Sequence, residues 1–211
     1  MPHIEIVRDK EPIRLFKSDF LEFFTHVSPI TVLVIWAPAA AYFLLRAVLD
    51  VLAGASWFVL PLGFLAGLFL WTLAEYMLHR FVFHFRPRAP WQERVAFLFH
   101  GVHHAQPRSK TRLVMPPAVS VPLALLFYGL FRLILGVLIG AWGWVSPVFA
   151  GFVVGYLCYD MIHYATHHFP VRGYFKFLKL HHMNHHYKTP NQRFGVSSPL
   201  WDVVFGTLPA A

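Results

Sequence analysis

The sequence predicts an all-α integral membrane protein in which four transmembrane helices carry a cytoplasmic helical cap rich in histidine. Three observations lead there. Of the 211 residues, 57% are hydrophobic and only 13% charged, too apolar for an ordinary soluble domain. Four apolar runs are each long enough to cross a hydrocarbon layer of about 30 Å at about 1.5 Å per residue. Twelve of the fourteen histidines fall in four clusters, and every cluster abuts an apolar run.

Taken in order, residues 1–26 form an N-terminal segment, and the spans lie near 29–49, 57–78, 118–139 and 145–165, within a single domain covering 1–211. In the N-terminal segment Ile13, Phe16, Phe20, Phe23 and Phe24 recur at helical spacing, and Pro12 is placed to start the helix. Such a helix either lies in the membrane interface or packs on the protein's own cap. Pro38, Pro61 and Pro122 fall inside spans, where neighbouring groups can satisfy the freed carbonyls. Met1 to Lys10 lack the basic-then-apolar pattern of a signal peptide. The lone Cys158 excludes a disulfide framework and a thiolate metal site. No repeat of 20 to 50 residues and no long linker is visible.

Lys and Arg set the orientation, because they accumulate in short cytoplasmic loops. Arg8, Lys10, Arg14 and Lys17 precede the first span; Arg80, Arg86, Arg88, Arg94, Arg108, Lys110 and Arg112 lie between the second and third; Arg172, Lys176, Lys179, Lys188 and Arg193 lie in the tail. The connections around 50–56 and 140–146 contain none. Both termini and all four histidine clusters are therefore expected on the cytoplasmic side, of an endoplasmic reticulum or a bacterial inner membrane. Arg46 and Arg132, within or at the ends of spans, are expected to snorkel. The formal net charge of +8 flanks spans and is interleaved with Phe, Trp and Pro, so anionic lipid headgroups, not nucleic acid, are the expected partner.

Imidazole binds iron, zinc, copper and nickel in its neutral form. His163 and His167 share a helical face, as do His100, His103 and His104, and His182, His185 and His186 repeat that spacing. His79 and His84 do not: five residues on an ideal helix turn a side chain by about 140° from its predecessor. They serve one site only if the helix bends or unwinds near His84, and nearby Pro87 favours a break there. Two, three, two and three histidines from the clusters make ten, far beyond the four or so ligands of a tetrahedral zinc. Ten suit two metal ions with room for oxygen or water. His3 and His26 read as polar trim. Glu75 and Asp160 each lie one turn before a histidine and are placed to accept a ligand's ring N–H.

The segments EYMLHRFVFH (75–84), HGVHH (100–104), RLVMPP (112–117), YDMIHYATHH (159–168), HHMNHHYK (181–188) and FGVSSPLWDVVFGT (194–207) resemble the fatty acid 2-hydroxylases of the membrane-bound fatty acid hydroxylase superfamily. The resemblance covers the last two-thirds of the chain. It implies a four-helix membrane protein whose cap holds two metal ions, iron in the working enzyme, on His79, His84, His100, His103, His104, His163, His167, His182, His185 and His186. His168 matches the motif without being a ligand. His181, where the family often has another residue, reads as a spare surface ring, although it and His182 both lie one turn from His185. Ser109 departs from the family, which commonly has an acidic residue there.

The implied reaction inserts one oxygen atom of O₂ at C2 of a long acyl chain, free or in a ceramide-like sphingolipid. Asp160 and Tyr159 are the candidate catalytic residues, and Phe81, Phe83, Tyr159, Tyr164 and Trp201 are candidates to line an acyl channel. Relatives often carry a cytochrome b5-like domain that this sequence lacks, so electrons are expected from a separate reductase or a cytochrome b5- or ferredoxin-like donor. Zinc can replace iron in a purified sample, because the divalent affinity order favours it over Fe²⁺. A sterol or carotenoid hydroxylase and a lipid desaturase would share the site. A membrane metal carrier or sensor is the non-enzymatic alternative, but transporters place polar ligands near the bilayer midplane, whereas these histidines cluster at span ends.

Overall fold

A chain in lipid has no water to satisfy its peptide groups, and helices are the local solution. In the computed structural model, which describes residues 6–7 and 11–209, helices are the only regular structure among the described residues. Four of them are long and apolar enough to cross a membrane: Pro29–Leu52, Val59–Phe83, Pro117–Leu138 and Trp142–His168. His3, Arg8 and Lys10 lie outside the described residues.

The first of these is α2 (Pro29–Leu52). The second is α3 (Val59–Met77), continued by a π-helical turn over Leu78–Phe83. The third is α6 (Pro117–Phe131), which ends in a π-helical stretch, Arg132–Leu138. The fourth is α7 (Val145–His168), entered through a 3₁₀ turn at Trp142–Trp144. Pro61 sits in the first turn of α3, where a missing N–H leaves no bond unmade, while Pro38 and Pro122 lie inside their helices. Shorter helices complete the chain: α1 (Asp19–Phe23), α4 (Pro90–Ala96), a π-helical turn at Phe97–Gly101 leading into α5 (Val102–Ala105), α8 (Gly173–Tyr187) and α9 (Leu200–Val204).

The contacts group the chain into two compact units, one of Ile30–Thr72 and Met115–Cys158, the other of Met1–Pro29, Leu73–Val114 and Tyr159–Ala211. In the first unit α3 and α7 meet through glycines. A Cβ on Gly67 would lie 2.0 Å from the Val148 carbonyl oxygen, and one on Gly151 would lie 2.0 Å from that of Phe64. A Cβ on Gly63 would lie 2.8 Å from the Pro147 ring, and one on Gly155 2.6 Å from the Trp71 side chain. Each helix thus presents two glycines four apart, in GFLAG and GFVVG, the small-residue spacing that lets backbones touch in lipid. Around this seam aromatic rings fill the space: Trp71 on Phe152 at 5.1 Å, Phe43 on Phe149 at 4.7 Å and Trp36 on Tyr156 at 5.6 Å between centroids. The Trp36 indole N–H donates to Ser120 Oγ at 3.2 Å, so its polar atom is satisfied in an apolar setting. Arg46 pairs with Asp50 at 3.5 Å, and the Arg132 guanidinium lies over the Tyr128 and Trp142 rings.

In the second unit the N-terminal segment corrects one expectation. No helix starts at Pro12; α1 begins only at Asp19. The Leu15 and Phe16 amides that a helix would have used both donate to the Glu22 carboxylate, and the Ile13 N–H donates to Gln106 Oε1. Glu22 also takes a 2.5 Å ion pair from Arg112, the buried arginine of RLVMPP. Burial would raise the Glu22 carboxyl, but these two amides and the Arg112 charge hold it below the usual range. His26, expected as polar trim, joins the same cluster through Thr111 at 2.8 Å and Arg112 at 3.0 Å. Phe20, Phe23 and Phe24 remain exposed.

The glycine seam yields a direct test. Gly67→Ala and Gly151→Ala each place a methyl group on a backbone carbonyl, an overpacking that costs about 1–3 kcal/mol. Both should lower the thermal unfolding midpoint in detergent, whereas Gly129→Ala, with open space around it, should leave it unchanged or raise it.

Candidate metal centre

Ten buried or nearly buried imidazoles converge in the second unit as two groups of five. One comprises His79, His84, His100, His104 and His185; the other comprises His103, His163, His167, His182 and His186. Within each group, one ring nitrogen per residue lies within 4.8 Å of all the others. These are the ten positions that the sequence resemblance implied.

Local structure explains how they meet. His79 and His84 are brought together by the π-helical turn that closes α3, in which the His84 N–H bonds back to the His79 carbonyl at 3.0 Å. An i→i+5 closure makes five residues little more than one turn, so both rings face one way, at 4.9 Å between centroids. The helix widens where unwinding was expected. A second π-helical turn at Phe97–Gly101 carries His100 and leads into α5 with His103 and His104. His163 and His167 project from one face of α7, and His182, His185 and His186 from one face of α8.

The chemistry of the donor set fits a metal better than a hydrogen-bond network. In the second group the Nε2 atoms form a chain, His163 to His103 to His186 to His182 to His167, with neighbours 2.9–3.0 Å apart. A neutral ring nitrogen either carries one hydrogen or offers one lone pair. Five nitrogens can therefore form two such bonds but not four in succession, and lone pairs directed at a common cation remove the conflict. In the first group His104 Nε2 is buried with no hydrogen-bond partner. Burial first, and then the neighbouring rings, push the imidazoles of His100, His103, His182, His185 and His186 well below their ordinary values and His104 down to about 3. The rings are neutral at pH 7, as a ligand requires.

In the first group, His79 and His185 are anchored through their other ring nitrogens. His79 Nδ1–H donates to the Phe194 carbonyl at 2.5 Å, and His185 Nδ1–H donates to that of Gln192 at 2.6 Å. Each bond fixes a tautomer that leaves Nε2 for the metal.

The remaining candidates are placed as follows. Glu75 was expected to brace a histidine; instead its carboxylate accepts the N–H groups of Val196 and Ser197 and the Ser197 hydroxyl, because that loop brings three donors to it. Asp160 is fully buried, one turn before His163 on α7, and the Tyr159 ring lies over that of His163 at 5.7 Å. Phe83 stacks on His100 at 5.5 Å, while Tyr164 lies against His168 and Trp201 against Phe205. Phe81 is exposed, under the Arg80 guanidinium. His168 stands outside both groups. His181 also stands outside them but is no surface ring: it is buried, and its Nε2–H donates to Asp202 at 3.1 Å. Asp202 was missed from the sequence, although carboxylates are scarce and it lies in the FGVSSPLWD segment.

A multi-helix membrane protein whose helix ends gather two groups of five histidines able to hold metal ions is the class that fold and site define. The chain belongs to the fatty acid hydroxylase family, whose model matches residues 64–207. It is 38% identical to the dihydroceramide fatty acyl 2-hydroxylase FAH1 of Arabidopsis thaliana over 96% of this chain and 83% of that protein. It is 40% identical to the ceramide very long chain fatty acid hydroxylase SCS7 of Saccharomyces cerevisiae over 90% of this chain and 48% of that one. Identity to the fatty acid 2-hydroxylase of Rattus norvegicus is 35%, over 93% and 57%. Among solved structures, full-length scs7p, of which only the hydroxylase domain is visible, superposes with a TM-score of 0.82 at 39% identity, covering 91% of this chain and 70% of that one.

If the two groups hold one ion each, His84→Ala and His167→Ala should each reduce the metal content of the purified protein by about one ion per chain, read by mass spectrometry of the metals. Deleting Val82, the residue by which the π turn exceeds an α turn, should leave His79 and His84 four apart on one face and metal content unchanged, whereas an alanine inserted after Phe81 should lose an ion.

Proposed function

We propose that the chain is an O₂-dependent diiron monooxygenase that hydroxylates C2 of a long-chain fatty acyl group, free or in a ceramide-like sphingolipid. The observation that carries the reading is the pair of five-histidine groups in a member of the fatty acid hydroxylase family. The names of its relatives, dihydroceramide fatty acyl 2-hydroxylase and fatty acid 2-hydroxylase, supply the position and the substrate class.

The overall change is R–CH₂–COX + O₂ + 2e⁻ + 2H⁺ → R–CH(OH)–COX + H₂O. A bound pair of reduced iron ions supplies O₂ activation and cleavage of a C–H bond too strong for acid–base chemistry alone. Imidazole suits iron among the first-row metals, and the two ions would be held by His79, His84, His100, His104 and His185 and by His103, His163, His167, His182 and His186.

The protein's own groups do the rest. The imidazoles, kept neutral by burial, present lone pairs without proton competition. Phe83 and Tyr159, packed against His100 and His163, exclude water from the rings. Asp160, buried beside His163 on α7, and the Tyr159 hydroxyl are the groups we assign to proton delivery and substrate placement. Both electrons come from a separate donor protein, a reductase or a cytochrome b5- or ferredoxin-like carrier. The charge distribution supports placing the histidine sites and both termini on the cytoplasmic side.

The test is expression in a host that lacks 2-hydroxy lipids, followed by hydrolysis of the membranes and mass spectrometry of the fatty acids. The wild type should yield 2-hydroxy acids and the double variant His104→Ala, His163→Ala none. Asp160→Asn and Tyr159→Phe should lower product at least tenfold with metal content retained. Hydroxylation at another carbon, or a new double bond, would replace the C2 assignment.

A further inference from the structure

The loop Phe194–Ser197 is held by two buried carboxylates through four successive amides. Asp202 Oδ1 accepts the Phe194 N–H and Asp202 Oδ2 accepts that of Gly195, each at 2.8 Å, while Glu75 Oε1 accepts those of Val196 and Ser197. The peptide joining Phe194 to Gly195 is engaged at both ends. Its N–H points at Asp202, and its carbonyl oxygen receives Nδ1–H of His79 at 2.5 Å. Charge on Asp202 pulls on the peptide N–H and makes the carbonyl a stronger acceptor, since bonds in series polarise one another.

The second anchored ligand shows the same arrangement. His185 Nδ1–H donates to the Gln192 carbonyl, and the N–H of that same peptide, on Arg193, donates to the Thr207 carbonyl at 3.0 Å. Arg193 adopts φ 60, a left-handed conformation unusual for a side-chain-bearing residue, and thereby aims both groups. Thr207 in turn returns to Asp202 twice: its hydroxyl donates to Oδ1 at 2.7 Å, and its N–H donates to the Asp202 carbonyl at 2.8 Å. His181 Nε2–H completes the carboxylate's shell. Burial alone would raise the Asp202 carboxyl, but these four donors hold it below its ordinary value.

We infer that Asp202 is a positioning residue for the first histidine group, acting through peptide groups on His79 directly and on His185 by way of Thr207. Metal-binding histidines commonly donate their second N–H to a carboxylate or a carbonyl; here a peptide is interposed between the two. Both braced rings, His79 and His185, belong to the same group of five. The relay is therefore selective: it strengthens one ion's ligands and leaves the other's alone. This rests on the dimetal reading above.

The experiment uses the full chain in detergent loaded with Co²⁺, with visible absorption to report ligand geometry and a chelator to time release of each ion. The release phase missing in His84→Ala identifies the first group. Asp202→Asn, nearly isosteric, removes the charge and turns an NH₂ toward one of the two loop amides, Phe194 or Gly195, which breaks the relay. It should speed release of the first-group ion about 10–100-fold, the usual cost of losing such an outer partner, and shift its absorption bands, with the other phase unchanged. Should Asp202→Asn not fold, Thr207→Val, which removes the hydroxyl that fixes the carboxylate's rotation, should give a smaller loss at the same ion, restored in Thr207→Ser. Equal loosening of both ions, or wild-type release of both, overturns the relay while the dimetal reading stands. Fewer than two Co²⁺ ions in the wild type overturns both.

Discussion

Everything in the histidine-bearing unit depends on keeping ten imidazoles neutral, dry and aimed. Crowded ring nitrogens 2.9–3.1 Å apart cannot satisfy one another by hydrogen bonds, and each becomes harder to protonate as its neighbours close in. Without a cation at the common point this would be an expensive cluster of buried polar atoms. The surrounding structure answers that strain. A widened turn brings His79 and His84 onto one face, His79 and His185 are pinned by carbonyls, and two buried carboxylates hold the loop that carries one of those carbonyls.

The membrane-spanning part solves a different problem by a different means. Lipid tails compete equally for apolar side chains, so helix pairs there gain from close backbone approach and from occasional polar bonds. The glycine seam between α3 and α7 and the Trp36–Ser120 bond are of those two kinds. Where the histidine unit relies on charge and hydrogen bonding, this one relies on contact.

Much of this could be read from the residues. Apolar run length gave the four long helices, with ends displaced by a few residues, the second span by a π turn that carries it to Phe83 past its apolar stretch. Cluster spacing gave the ligand faces, since i, i+3 and i+4 are properties of one helix. What could not be read were relations between distant segments. The His79–His84 pair showed that an α turn was inadequate without showing that the remedy is an extra residue in the turn. The α1 expectation failed because periodicity cannot reveal that Glu22 takes the Leu15 and Phe16 amides or that Gln106, some ninety residues away, donates to the Glu11 carbonyl. Glu75 and Asp202 illustrate the same limit. Helical proximity pointed Glu75 at a histidine, whereas its partners lie more than a hundred positions along the chain.

The seam of glycines also bears on traffic. Where Gly63 and Gly67 of α3 meet Gly151 and Gly155 of α7, even a single added carbon would collide with the opposite backbone or ring. A hydrocarbon tail is far wider than that. Between these two helices there is no gap for one, so the α3–α7 seam is closed to the acyl chains on which the family works.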